Sequence, residues 1–438
     1  MKFKQVLIFI SLSINAPYLV AEDVKHPVIK WFNEIEYELD LSVTGYFHKP
    51  TAPQVDQDVA NFLGRFSMQS TTWLNDQWSV GFNLYTAYST QENEYSGAFR
   101  GLNHAISQPR YVDFDTAWIR YEADDFSLLL GKEYIETGLA ELYSPIDRFG
   151  LFNISNPGQA YSMGVWHLSM DYFIEDDTLS FKIMPIYDKS LFPNEQSRWV
   201  GSTNDPEFTQ LIQAYDIEDD YRGIELSNIS YLLEYKGSRA GYDFLASVHY
   251  GVALYPTLQL GSLVNQRRKV EPLATSFAVS VLKVIDQWTV YGEAIYQHSN
   301  NHQDENFIRY ALGASYVNYD LANFLHLNQI KTTVQWSGDE TIDAADSRIV
   351  DTSSQYARPF RNTVLTRIEF EHNAKWRSVF SSVYNIQSDY VLFAGIQYDP
   401  TDNLSLHLEA AFFEGFSETD FGRWQDNDYL KFRTIYKF

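Results

Sequence analysis

Charged side chains recur at every second position in short runs of this 438-residue chain: Glu36, Glu38 and Asp40 near one end, Arg367 and Glu369 further on, and Lys431 and Arg433 near the other. Successive side chains of an extended strand point to opposite faces, so a spacing of two places each set on one surface. Arg65 and Lys331 join that surface by the same parity. A wall carrying fixed charges selects ions and polar solutes that pass along it, and its members can also pair with one another and stiffen it. Two further cations, Lys132 and Arg148, belong to a segment whose polar stretch over 136–163 is long enough to fold over such a wall and narrow the space beside it.

Catalysis and metal binding have less to stand on. Ten histidines, His104, His167 and His249 among them, are scattered along the chain. A hydrolase needs one beside a serine and an Asp or Asn, and strands can bring such residues together from afar, but no local nucleophile motif is present. Asp216–Asp220 and the run from Asp339 and Glu340 to Asp346 supply carboxylates without the spacing of a calcium loop. Both read as solvated acidic loops. No cofactor and no metal is expected, no catalytic residue is assigned, and the chain is not expected to be an enzyme.

The elements that must position these charges are strands. Tyr37, Leu39, Leu41 and Val43 alternate with Glu38, Asp40, Ser42 and Thr44; Trp78, Val80, Phe82 and Leu84 alternate with Ser79, Gly81, Asn83 and Tyr85. About eighteen such segments follow one another, centred near 41, 67, 83, 116, 130, 168, 182, 228, 248, 276, 292, 313, 331, 367, 380, 394, 410 and 433. Short turns alternate with long polar connections, except that two connections on the long side, near 298–306 and 386–389, are short. The turns include Asn75 to Gln77, Ala123 to Asp125, Ile174 to Asp177, Lys236 to Gly241, Lys283 to Asp286, Tyr319 to Asn323, Asn373 to Lys375 and Asp399 to Asn403; the long connections cover 89–110, 136–163, 188–220, 256–269, 337–360 and 415–428. Trp73, Trp78, Tyr121, Phe126, Tyr235, Tyr242, Trp288, Trp376 and Tyr398 crowd the short turns. A ring of amphipathic aromatics at one rim is what a barrel seated in a bilayer requires. The expected fold is all-β: a closed antiparallel transmembrane β-barrel of about 18 strands, with 16 as the alternative.

Export fits this fold. Lys2 and Lys4 precede an apolar run from Val6 to Ile14, and Leu19-Val20-Ala21 offers a cleavage site. The expected organisation is a signal peptide over 1–21, a periplasmic lead over 22–34 and the barrel over 35–438. No later apolar stretch is long enough for a transmembrane helix. The chain has no cysteine although 16% of it is aromatic, which suits a barrel stabilised by its hydrogen-bond ladder rather than by disulfides. The formal charge of −24, about −26 without Lys2 and Lys4, argues against nucleic acid as a partner and would draw cations to an acidic lumen. On closure the acidic face of the first strand would meet Lys431 and Arg433 of the last.

The final segment, with Leu430, Phe432, Thr434, Tyr436 and Phe438 on one parity, resembles the C-terminal signal by which outer-membrane barrels are recognised for assembly. A second resemblance rests on Trp118-Ile119-Arg120-Tyr121, a short acidic turn, Gly131-Lys132, Gly138 and Ser144-Pro145-Ile146-Asp147. This run of about forty residues is similar to Gram-negative outer-membrane proteins that include relatives of alginate-export porins, although Thr137 stands where such families commonly have tryptophan. The resemblance implies a substrate channel narrowed by inward loops, with Lys132 and Arg148 facing the solute.

The functional expectation is therefore a porin-like channel in the cell outer membrane, passing a small hydrophilic solute or ion passively. The pore-lining or constriction residues would be Glu36, Glu38, Asp40, Arg65, Lys132, Arg148, Lys331, Arg367, Glu369, Lys431 and Arg433. Its partners would be outer-membrane lipids and lipopolysaccharide, the barrel-assembly machinery acting on Phe438, and an unidentified small solute. Sugar acids, oligosaccharides, amino acids, cations and apolar solutes all remain open. The alternatives are a scaffold or assembly barrel holding a protein partner, or an enzyme barrel.

Overall fold

A computed structural model describes residues 34–438 apart from 54, 92–93, 102–107, 187–189, 195, 202–215, 220–227, 254–256, 261–265, 348, 352–357, 387–388 and 418. The signal peptide over 1–21, and all but the last residue of the lead over 22–34, lie outside the described residues.

Alternating apolar and polar residues give strands β1 (Glu36–Tyr46), β2 (Ala60–Trp73), β3 (Trp78–Ser89), β4 (Val112–Glu122), β5 (Phe126–Glu133), β6 (Val165–Ile174), β7 (Asp177–Met184), β8 (Ser230–Arg239) and β9 (Tyr242–Val252). They continue as β10 (Leu273–Ile285), β11 (Trp288–Ser299), β12 (Asn306–Val317), β13 (Gln329–Asp343), β14 (Thr363–Asn373), β15 (Trp376–Asn385), β16 (Asp389–Thr401), β17 (Leu404–Glu414) and β18 (Tyr429–Lys437). Each pairs antiparallel with its neighbours in sequence, and β18 pairs antiparallel with β1, so an 18-stranded sheet closes on itself and leaves no edge. At the seam Arg433 forks onto Asp40, Nε at 2.9 Å and Nη2 at 2.7 Å, and Lys437 lies 3.9 Å from Glu38. Lys431 turns the other way and pairs with Glu409 of β17.

Outward positions form an apolar band. Leu130, Phe277, Val279, Leu312, Phe380 and Phe432 are each at least 49% exposed, which water would not tolerate over a continuous surface but lipid does. Near the short turns this band ends in paired rings: Trp78 on Tyr121 at 5.0 Å, Trp288 on Tyr316 at 4.6 Å and Trp376 on Tyr398 at 4.3 Å. The barrel is thus the membrane-spanning, aromatic-rimmed one that the alternation requires.

Five features differ from the sequence reading. The centre placed at 228 precedes β8, and the turn placed at Lys236 to Gly241 shrinks to Ala240 and Gly241, whose φ values are 53° and 77°. Lys236 and Ser238 share the parity of buried Leu232 and Glu234, so a polar strand end facing the lumen was indistinguishable by composition from a polar turn. The connection after β12 contains a helix, Tyr319–Phe324, whose N-cap Asn318 accepts a hydrogen bond from the Leu321 amide at 2.9 Å. β13 runs on to Asp343, and Asp339 is buried rather than solvated because Arg309 and Arg358 neutralise it at 3.1 and 3.2 Å. The acidic run Asp216–Asp219 is also a strand, in parallel register with Gln266–Val270, within a four-stranded sheet on the long-loop side that includes Thr257–Leu260 and Ile349–Asp351.

Candidate solute-binding vestibule

The connection from β5 to β6, residues 134–164, enters the lumen. Its turn is shaped by its own polar groups. Thr137 donates from its amide to Asp147 Oδ1 at 3.0 Å and from its hydroxyl to the Ile146 carbonyl at 2.7 Å. The far end is tied to the opposite wall. Glu293 on β11 accepts from the amides of Leu139 and Ala140, from Ser144 Oγ at 2.6 Å and from Ser280 Oγ of β10 at 2.9 Å. Glu141 pairs with Lys331 of β13 at 2.7 Å, and Gln335 of the same strand donates to the Tyr143 carbonyl at 2.6 Å. Since β13 lies eight strands from β5 in a ring of eighteen, the segment spans nearly the full width of the lumen.

Gly138 makes this approach possible. Its φ is +110°, and a Cβ there would fall 2.1 Å from Ser144 Oγ and 3.1 Å from Glu293 Oε1. Beneath the segment, Ile135, Ile146, Phe149 and Leu151 pack on lumen-facing Leu232, Leu245 and Ile295. The lumen is therefore divided. The side towards β6–β12 is packed like a protein core, and the side towards β18 and β1–β4 keeps open space.

That space is a vestibule of about 1040 Å³. Glu36, Lys437, Asp402 and Asn403 line it towards the short-turn end; Arg65, Asn83 and Asp115 of the wall, with Tyr134, Glu136 and Tyr161 of the inward segment, line it deeper. Arg65 pairs with Asp115 and lies over the rings of Tyr85 at 4.2 Å and Tyr161 at 5.3 Å. Towards the outer ends of β16–β18 and β1, Trp199, Phe421 and Trp424 from the long loops pack on Tyr46, Phe413 and Tyr429 as an apolar cap. Arg198 fixes this cap, its guanidinium 3.4 Å from the Tyr46 ring centre and donating to Asn427 Oδ1 at 2.9 Å and to the Asp58 carbonyl at 2.6 Å.

Six of the expected lining residues, Glu36, Glu38, Asp40, Arg65, Lys431 and Arg433, border the vestibule together. The other five do not join them. Lys331 holds Glu141, and Arg367 and Glu369 pair with each other at 2.8 Å on β14. Lys132 is buried, donating to the Phe114 carbonyl 3.8 Å from Asp113, and Arg148 is buried with its guanidinium 5.1 Å from the centre of the Phe307 ring. Neither cation faces the vestibule as the family resemblance implied. Glu141, Glu293, Tyr134 and Tyr161 were not singled out from the sequence. The one available signal was the presence of Leu232 and Leu245 at lumen parity, which only a filled lumen explains.

Asp147 gives the segment a pH dependence. Burial raises its carboxyl to about 6, helped by the charges of Glu136 and Glu293 and opposed by the hydrogen bonds from Thr137. A carboxyl whose pKa is raised in the packed state binds protons more readily there than when released, so acid favours packing. The advantage should appear as pH falls through 6 and be complete near the ordinary value of 3.8. Planar-bilayer conductance is expected to decrease between pH 7.5 and pH 4.5, and Asp147→Asn should abolish most of that decrease. A conductance that rises on acidification would contradict this sign.

No known protein family matches the chain by sequence, and neither does any curated protein. Solved structures that resemble it in outline include a bacterial porin and two further barrels. OccAB3 of Acinetobacter baumannii matches at 9% identity and a TM-score of 0.48, over 93% of this chain and 99% of that one. OpdQ of Pseudomonas aeruginosa matches at 10% identity and 0.49, over 92% and 97%. A mutant of the Rh. blastica porin matches at 10% identity and 0.41, over 92% and 99%.

Proposed function

We propose that this barrel is an outer-membrane channel for the passive passage of a small hydrophilic solute or ion. One observation carries the reading: an inward segment spans the lumen and packs one side of it, while the other side remains a polar vestibule open towards the short turns. A purely structural barrel has no need to keep charged residues around an unfilled cavity, whereas a selective pore does. In this reading the short turns face the periplasm, the long loops lie among lipopolysaccharide, and Phe438 is the residue met by the barrel-assembly machinery. The relation to alginate-export porins is part of the proposal only at the level of an inward loop. The vestibule's cations are already paired, Arg65 with Asp115, Arg433 with Asp40, Lys431 with Glu409 and Lys437 with Glu38, which disfavours a polyanion.

The enzyme reading meets a specific obstacle. Ser405, His407 and Asp399 do come together on β16 and β17, with Ser405 Oγ 3.0 Å from His407 Nε2. The serine hydroxyl, however, donates to Asp399, so the carboxylate engages the would-be nucleophile and does not orient the imidazole. A buried guest protein, as a scaffold would hold, has to share the lumen with the inward segment.

The test is single-channel recording of the folded mature chain in a planar bilayer. Steady conductance with cation preference is expected, because Glu36, Glu136 and Asp402 are vestibule carboxylates with no ion-pair partner among the described residues. Absence of conductance across the pH range, or clear anion preference, would refute this reading.

A further inference from the structure

We propose that the deep end of the vestibule, between Arg65, Asn83 and Asp115 on the wall and Tyr134 and Tyr161 on the inward segment, is a subsite for an uncharged sugar ring. This assignment names the solute class of the proposed channel and rests on that reading for its physiological meaning. The argument begins with charge. An anion entering this end would have to displace Asp115 from Arg65, a pair that is largely buried. A cation would be drawn to aromatic faces, but the guanidinium of Arg65 already lies over the rings of Tyr85 and Tyr161. An anion therefore finds its natural partner occupied at this end of the cavity, and a cation finds Asp115 and the faces of Tyr85 and Tyr161 occupied, which leaves it Glu136 and the Tyr134 face.

What remains available is suited to hydroxyl groups and a ring face. Asp115, Arg65 and Asn83 are planar groups able to meet two neighbouring hydroxyls at once, and the covered Oδ1 of Asn83 has no hydrogen-bond partner. Gln69 and Ser67 extend the same polar strip towards the short-turn end. Tyr134 borders the cavity, and among the described residues its ring stacks on no other ring and carries no cation, leaving a face for the C–H surface of a pyranose. Burial raises the phenols of Tyr134 and Tyr161, so both stay neutral and serve as hydroxyl donors and acceptors. A cavity of about 1040 Å³ has room for more than one sugar unit, which makes an oligosaccharide threaded from the short-turn end the fitting solute.

Because Tyr134 and Tyr161 sit on the inward segment while Arg65, Asn83 and Asp115 sit on the wall, a bound ring would bridge the two. Occupancy would then hold the segment in place.

The experiment is titration calorimetry of the folded barrel in detergent with maltotriose, trigalacturonate and spermidine, run beside bilayer recording of the same preparations. Maltotriose is expected to bind most tightly of the three, and Tyr134→Ala and Asn83→Ala to weaken it at least tenfold while heat-modifiable gel migration shows both variants folded. Tighter binding of trigalacturonate or spermidine, no binding of maltotriose, or unchanged affinity in both folded variants would overturn the subsite. Sugar binding without any conductance would uphold the subsite and defeat the channel reading; conductance without sugar binding would do the reverse.

Discussion

Glu293→Ala is expected to raise single-channel conductance severalfold. The Glu293 carboxylate gathers the amides of Leu139 and Ala140 and the hydroxyls of Ser144 and Ser280, and it is the point where the inward segment meets β11. Truncation leaves these donors without their acceptor in a covered place, at a cost of about 1–3 kcal/mol for each group that finds no substitute. The released segment can recover those bonds only by moving towards water. Glu293→Gln should fall between wild type and alanine, since it keeps one acceptor oxygen for the two amides. The check is the unitary current in a planar bilayer, supported by protease cleavage within 134–164. Equal currents in all three proteins would show that the apolar underside alone, through Ile135, Ile146, Phe149 and Leu151, holds the segment.

Asp339→Ala should produce the largest loss of stability. Asp339 sits on β13 between Arg309 and Arg358, all three almost fully buried, and Arg358 also pairs with Glu305. Removing the shared carboxylate strands two guanidinium groups, with Glu305 and the Pro359 carbonyl as their nearest relief. Breaking a buried ion network from one side costs about 3–5 kcal/mol. Asp339→Asn should cost less because an acceptor oxygen remains. Equilibrium unfolding in urea, followed by heat-modifiable migration, would measure the difference; a midpoint unchanged in the alanine variant would mean that water takes the place of the carboxylate.

The barrel was largely legible in the sequence because lipid forces strict alternation, and alternation also fixes which charges face inward. That is why parity alone put Asp40 and Arg433 on the same side of the closing strands, where they do meet. Boundaries were less legible wherever a polar strand end faced the lumen, as at Lys236, since composition there matches that of a turn. The candidate site was legible only in part. Its wall charges follow from parity, but its aromatic members come from β3, with Tyr85, and from the two ends of the inward segment, with Tyr134 and Tyr161. Glu293 looked like one more charge on a strand; its role comes from backbone amides some 150 residues away in sequence, and spacing cannot convey that. Lys132 and Arg148 show the converse, cations that a motif brings to notice but that the fold spends on burial and internal pairing.

The inward segment also imposes a temporal order on assembly. Neighbouring strands join through turns as short as Ala240 and Gly241, so hairpins can close with little loss of chain entropy. The segment's attachments instead connect residues 154 and 192 positions apart, and the seam connects residues 393 apart. Residues 134–164 must therefore wait for β11 and β13 before they have anything to hold, and the ring cannot close until β18 arrives. A partly assembled barrel would pass through a stage in which its inward segment hangs free, and the divided lumen would be the last feature of the molecule to mature.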